Sequence, residues 1–134
     1  MANKILKLNA DTLKFEEISI KNRKVDYKEM REAVGGYIEH IVFNRELEAN
    51  RIDVWCDEEG KLKNLKASVI VLDDNCEIVE VLAGSLVFTG KAGDGNSYGL
   101  TDEQVETIKE VLRHSVSYAN PDGTLGTAKI MPYK

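Results

Sequence analysis

An α+β fold, built mainly on antiparallel sheet with two helices packed on it and a C-terminal hairpin, is what this sequence predicts. Three observations carry that expectation. Period-two and β-branched segments outnumber helical ones, the two helical segments have full start signals, and the order is not an alternating βαβα one. The chain has 134 residues, 43% hydrophobic and 31% charged, which suits an ordinary core rather than disorder. We therefore expect a single domain over 1–134.

The elements follow in order. Ile5-Leu6-Lys7-Leu8 opens a short strand, and Leu13, Phe15, Ile18 and Ile20 continue as a second with an irregularity near Glu16-Glu17. Asp26 and Glu29 form a capping-box pair ahead of Tyr27, Met30, Ala33 and Val34 at helical spacing, and Gly35-Gly36 ends that helix. Tyr37 to Phe43 reads as a strand, Ile52, Val54 and Cys56 alternate in the next, and Asp57-Glu58-Glu59-Gly60 turns the chain. Ala67 to Leu72 is a β-branched run, Asp73-Asp74-Asn75 a turn, Cys76 to Leu82 a strand, and Gly84 to Thr89 a further one. Gly90 to Gly99 carries four glycines in ten residues and reads as a loop. Thr101 and Gln104 then cap a second helix with Val105, Ile108, Val111 and Leu112 as its buried stripe, and Arg113 and His114 in its last turn. Val116 and Tyr118, a turn at Asn120-Pro121-Asp122-Gly123, and Ala128, Ile130 and Met131 make the terminal hairpin.

Composition excludes several functions. A net charge of −5 argues against a chain that works on DNA or RNA backbones, but leaves room for a locally basic pocket. No apolar run of about 20 residues offers a membrane span, and the first residues carry no signal-peptide core, so a cytoplasmic location is expected. Cys56 and Cys76 lie on separate predicted strands without CxxC spacing or a His pair, so they make no zinc site and are read as reduced and structural. No metal and no cofactor is expected. His40 falls inside a strand pattern and His114 at a helix end, neither with a nucleophile in a known motif, so the chain is not expected to be an enzyme.

The glycine-rich segment is the one candidate for chemistry. It is neither a phosphate-binding loop with a following G-K-[ST] nor a dinucleotide fingerprint. Its glycines free backbone donors that can approach a phosphate, Asn96 has an amide for a base edge, and Tyr98 or Phe88 has a face for stacking. A plain connector remains the competing reading. Basic residues scatter at Arg23, Lys24, Arg45, Arg51, Lys61, Lys63, Lys66, Lys91 and Arg113, and a few converging on the loop would make a pocket for a doubly charged ligand.

Ala33-Val34-Gly35-Gly36-Tyr37-Ile38-Glu39 resembles the VGGYIE signature of a family of small phage and bacterial proteins, and Asp57 to Leu62, Leu82 to Gly84 and Leu100 to Gln104 are similar as well. Within that neighbourhood the chain resembles the first-described class of phage Thoeris anti-defence "sponge" proteins. The resemblance implies non-catalytic sequestration of a cyclic ADP-ribose isomer made by bacterial TIR-domain enzymes, in the cytoplasm of the infected host. It further implies a homo-oligomer of dimers assembling up to a hexamer, and in some members a separate pocket for cyclic oligonucleotides. It carries a pocket pattern of an aromatic, an Asn and an Arg onto Phe88, Asn96 and Arg113, with Leu86 or Tyr98 as alternatives to Phe88, and places Lys61 where an Arg is expected. The terminal hairpin has no counterpart in the pattern. The alternative function is a phage interaction protein that inhibits a host protein through its sheet edge or hairpin.

Overall fold

Alternation in the first strand sets up a two-sided molecule. In β1 (Lys4–Leu8), Leu6 and Leu8 enter one apolar core while Ile5 enters another, and all three are fully buried. The computed structural model describes residues 3–133. Its elements continue as β2 (Phe15–Ser19), α1 (Tyr27–Val34), β3 (Ile38–Ile41), α2 (Arg45–Ala49), β4 (Ile52–Asp57), β5 (Ala67–Leu72) and β6 (Ile78–Ala83). β7 (Leu86–Lys91), β8 (Ser97–Tyr98), α3 (Asp102–Val111), β9 (Ser115–Ala119) and β10 (Leu125–Pro132) complete the chain.

The strands form two sheets, where the sequence suggests one. The first runs β2-β1-β7-β4-β3 with β8 added to β7, and is antiparallel throughout. The second runs β6-β5-β10-β9, with β10 parallel to β5. The chain crosses from the first sheet to the second through residues 58–66, between β4 and β5. β7 is central to the first sheet, and its unbroken burial from Leu86 to Gly90 is that of a strand covered on both faces.

The helices lie on opposite faces of the first sheet rather than on one. Met30, Ala33 and Val34 of α1 pack with Ile5, Val25 and Val87. Val105, Ile108 and Val111 of α3, its C-cap Leu112, and Leu47 of α2 pack on the other face with Leu6, Phe88 and Val54, joined there by Val69, Leu82 and Met131 of the second sheet. Burying these three α3 side chains and the Leu112 cap contributes roughly 1.5–3 kcal/mol each. Both expected capping boxes are present, Asp26 with Glu29 and Thr101 with Gln104.

Several elements differ from the sequence reading. The strand expected over Tyr37–Phe43 is confined to Ile38–Ile41, because Asn44 caps the extra helix α2 with its side chain accepting from Leu47 N at 3.0 Å. Cys76 sits in the β5–β6 turn at φ 61° and is exposed, so only Cys56 is a buried thiol. α3 ends at Val111 with Leu112 as its C-cap, which puts Arg113 and His114 outside the helix. The expected terminal hairpin is β9–β10. No helix among the described residues is long and apolar enough to cross a membrane.

Candidate functional site

Gly90 to Gly99 is not a connector that leads straight into a helix. β7 runs on to Lys91, the chain turns, and β8 returns beside it with Gly90 opposite Tyr98 and Lys91 opposite Ser97. The segment before α1 adds itself to the outer side. Lys24 bridges to Tyr98, Val25 N donates to Ser97 O at 2.9 Å, and Gly99 N donates to Arg23 O at 2.9 Å. Residues separated by some seventy positions thus meet at one sheet corner.

The N-terminus of α3 closes this corner. Thr101 and Gln104 cap each other's backbone, and Gln104 Nε2 also donates to Asn50 O at 3.0 Å and Arg51 O at 3.1 Å. Arg51, held at φ 60°, accepts Lys91 N at 3.0 Å on the same carbonyl. A side chain at Gly90 would place its Cβ 2.8 Å from Gly99 O, so glycine is required for the strand and the returning chain to approach this closely.

The result is a groove of about 320 Å³ lined by Arg23, Gly90, Lys91, Tyr98, Gly99 and Gln104. The Arg23 guanidinium lies 5.9 Å from the Tyr98 ring centroid. Tyr98 is braced at its other end, where its hydroxyl donates to Asp94, and Asn96 N donates to the same carboxylate at 3.0 Å. Those bonds hold the Asp94 carboxyl down to about 2, and for the same reason the Tyr98 phenol is raised above its ordinary range.

Among the five site residues named from sequence, Tyr98 alone lines this groove. Phe88 is completely buried, with its ring 6.4 Å from that of Phe15, so it is core and offers no stacking face. Its alternative Leu86 is equally buried. Asn96 serves Asp94 rather than the groove. Arg113 folds back on Glu110, donating to its carbonyl at 2.7 Å and lying 3.2 Å from its carboxylate. A ten-residue helix separates Arg113 from the groove, about 15 Å of axis. Lys61 is paired with Glu80 of the second sheet. The cations that do meet here are Arg23 and Lys91, with Lys24 alongside. All three are among the scattered basic residues named from the sequence.

A polar cluster adjoins the groove through Lys91. The largely buried Asp53 carboxylate is 3.0 Å from His40 Nε2 and 3.7 Å from Lys91 Nζ. The Trp55 ring lies 4.9 Å from that of His40, and its Nε1 donates to Thr89 Oγ1 at 2.9 Å. Thr89 is the one hydroxyl of the cluster, and it is already engaged by Trp55. The arrangement satisfies a buried charge on a sheet face.

The segment that carries the VGGYIE resemblance has a structural explanation. Val34 is core, and Gly35 at φ 92° ends α1 with its N–H donating to Arg31 O at 2.8 Å. A Cβ at Gly36 would fall 2.6 Å from Lys63 Nζ and 2.7 Å from Asp57 Oδ2, inside an ion pair whose acid is buried. Ile38 packs against the α1 core.

Most of this architecture, from β1 through α3, falls within one family model. The chain belongs to the family "domain of unknown function (DUF3846)", matched over residues 3–113. Neither a curated protein nor a solved structure matches it. The DUF3846 match contains the whole first sheet and every residue of the groove, and stops before the β9–β10 hairpin.

Proposed function

We propose that this DUF3846 protein binds a cyclic ADP-ribose-type nucleotide in the groove beside the β7–β8 hairpin and holds it without turnover. On this reading it sequesters a TIR-derived signal and blocks Thoeris-type anti-phage signalling in the host cytoplasm. The observation that carries the reading is the Arg23 guanidinium over the Tyr98 ring in a groove that Lys91 also lines, on a chain of net charge −5. A guanidinium beside an aromatic face suits a ligand that combines a pyrophosphate with a base. Arg23 has no acidic partner among the described residues, so its guanidinium fork is available for bidentate phosphate contact. Tyr98, braced by Asp94, takes the stacking role first given to Phe88, and Arg23 the phosphate role first given to Arg113.

The test is capture and release. Purified protein is mixed with cyclic ADP-ribose isomers and linear ADP-ribose, desalted, heated, and the released nucleotide analysed. Intact cyclic nucleotide is expected. Each charge-assisted phosphate contact is worth roughly 1.5–3 kcal/mol, so Arg23→Ala is expected to weaken capture about ten- to a hundredfold. Arg113→Ala is expected to leave it unchanged. Altered nucleotide in the eluate would make the protein an enzyme, and absence of capture would refute the binding reading.

A second reading, inhibition of a host protein by direct contact, is favoured by a separate patch. The Arg31 guanidinium lies 4.2 Å from the ring centroid of Tyr37 and 5.9 Å from that of Tyr27, and both tyrosines are more than half exposed. Tyr and Arg are the residue types that concentrate binding energy in protein interfaces. Failure of nucleotide capture together with retention of a host protein that Tyr37→Ala releases would favour it.

A further inference from the structure

The two sheets end in four edge strands, β2, β3, β6 and β9. An edge strand presents unpaired N–H and C=O groups, which chains ordinarily protect with charges, proline or irregular pairing. β2 carries Glu16 and Glu17, and β3 carries Glu39 and His40. β6 carries Glu80 and shifts register twice against β5. β9 has none of these protections. Its run Ser115-Val116-Ser117-Tyr118-Ala119 contains no charge and no proline, and it pairs with β10 in unbroken register.

The hydrogen bonds that flank β9 show which of its backbone groups are free. Ile130 N donates to His114 O at 2.9 Å, and Asn120 N donates to Thr124 O at 2.8 Å, just beyond either end of the strand. In an antiparallel ladder, opposite residues alternate between pairs that exchange both bonds and pairs that exchange none. Val116 with Ala128 and Tyr118 with Gly126 are therefore the bonded pairs, and Ser115, Ser117 and Ala119 turn their N–H and C=O groups away from β10. These three residues are exposed, and among the described residues no hydrogen bond from another element reaches them. They make a row of donors and acceptors roughly 6.8 Å apart, twice the rise of a strand residue. A Cβ at Gly126 would collide with the Tyr118 ring, so the one large side chain of β9 lies inward over β10 and leaves the edge clear. The family match ends at residue 113, so this edge lies in the part of the chain beyond it.

We propose that β9 is a docking edge for a different protein, one of whose extended segments adds to the second sheet as a fifth strand. The free groups of Ser115, Ser117 and Ala119 fix the conformation of that segment, a strand as long as β9 with no proline at the positions that bond. The side chains of β9 fix its composition. Val116 and Tyr118, both half-buried, favour β-branched or aromatic residues across from them, and Ser115 and Ser117 favour threonine or serine. With no charge on β9, nothing on the strand offsets the cost of desolvating a charged residue opposite it. The occupant is thus an uncharged segment in which β-branched and hydroxyl residues alternate. The edge belongs to the second sheet, apart from the nucleotide groove on the first and from the Tyr27, Arg31 and Tyr37 patch.

Amide hydrogen exchange of the full chain, followed by NMR, tests this with the capped peptide Lys-Thr-Val-Thr-Val-Thr-Lys as the probe. Without peptide, the Ser115, Ser117 and Ala119 amides are expected to exchange at least about tenfold faster than those of Val116 and Tyr118. Millimolar peptide is expected to slow those three at least about twofold and to leave the amides of the first sheet unchanged. Ser117→Pro removes an outward N–H and no bond to β10, so the fold is expected to persist by circular dichroism while the peptide no longer protects Ser115 and Ala119. Ser117→Lys, which keeps the N–H but adds an edge charge, is expected to weaken the same protection. Slow exchange of the three amides in the free chain, no protection by the peptide, or protection indifferent to both variants would overturn the docking edge. Protection of these amides that rises with protein concentration alone would assign the edge to a second copy and overturn the foreign partner.

Discussion

Replacing Phe88 with alanine separates a core residue from a ligand-stacking one. The ring is fully buried between the first sheet and α3, against Phe15, with Val54 and Leu6 opposite it in the register of the flanking strands. Two costs add on truncation. Losing the buried ring forfeits about 1.5–3 kcal/mol of transfer free energy. A residual void on the order of 100 Å³, at about 24 cal/mol per Å³, costs about 2 kcal/mol more. The expected loss is therefore about 4 kcal/mol. With an unfolding entropy of about 2.1 cal/mol/K per residue, a chain of 134 residues unfolds with about 0.28 kcal/mol/K, so the midpoint falls by about 14 °C. Thermal unfolding followed by circular dichroism measures this directly. Capture by the fraction still folded at low temperature is expected to match wild type. A midpoint within about 2 °C of wild type, with capture lost, would show that Phe88 faces a ligand and that the core placement is wrong.

Two titration predictions follow from the other sites. Asp94 has its carboxyl held down to about 2 by the Tyr98 hydroxyl and by Asn96 N, so its bond persists above the ordinary carboxyl range and is lost as pH falls from there through about 2. Ultraviolet titration is expected to show one of the five tyrosines ionising above the usual phenol range, and Asp94→Asn to bring that tyrosine back; an unchanged Tyr98 would refute the brace. The Cys56 thiol is pushed up to about 12 by burial and by nearby Glu39 and Asp57, whereas Cys76 is exposed in a turn. A thiol reagent at neutral pH is therefore expected to modify one cysteine in the native protein and the second only after unfolding, and two fast equivalents would contradict the buried placement.

Local signals were sufficient for much of the secondary structure. Capping at Asp26 and Thr101 is satisfied within four residues of chain, and the apolar spacing of α3 names its buried stripe without reference to any partner. The turn at Asn120 to Gly123 likewise contains its own chemistry. The five-residue helix α2 escaped because it is too short for periodicity to register, and only the bond from Leu47 N to Asn44 reveals it. Membership of a strand is legible in β-branched residues, but partnership is not. Nothing local says that β10 joins β5 in parallel, that the strands divide into two sheets, or that β8 turns a glycine-rich stretch into a hairpin.

The candidate site divides along the same line. Tyr98 and Lys91 could be singled out in the sequence because they sit within the glycine-rich segment. Arg23 could not be distinguished from the other scattered cations, since its place depends on Lys24 pairing with Tyr98 far along the chain. Phe88 and Asn96 looked available because alternation assigns a side chain to one of two faces without saying what covers that face. Packing of α3 and the second sheet over Phe88 decided that question. The sequence by itself determined most of the strands, the two capped helices and the terminal turn, because those preferences rest on neighbours in the chain. The tertiary structure alone decided which faces are core, groove or surface, because burial depends on contacts between residues that covalent order keeps apart.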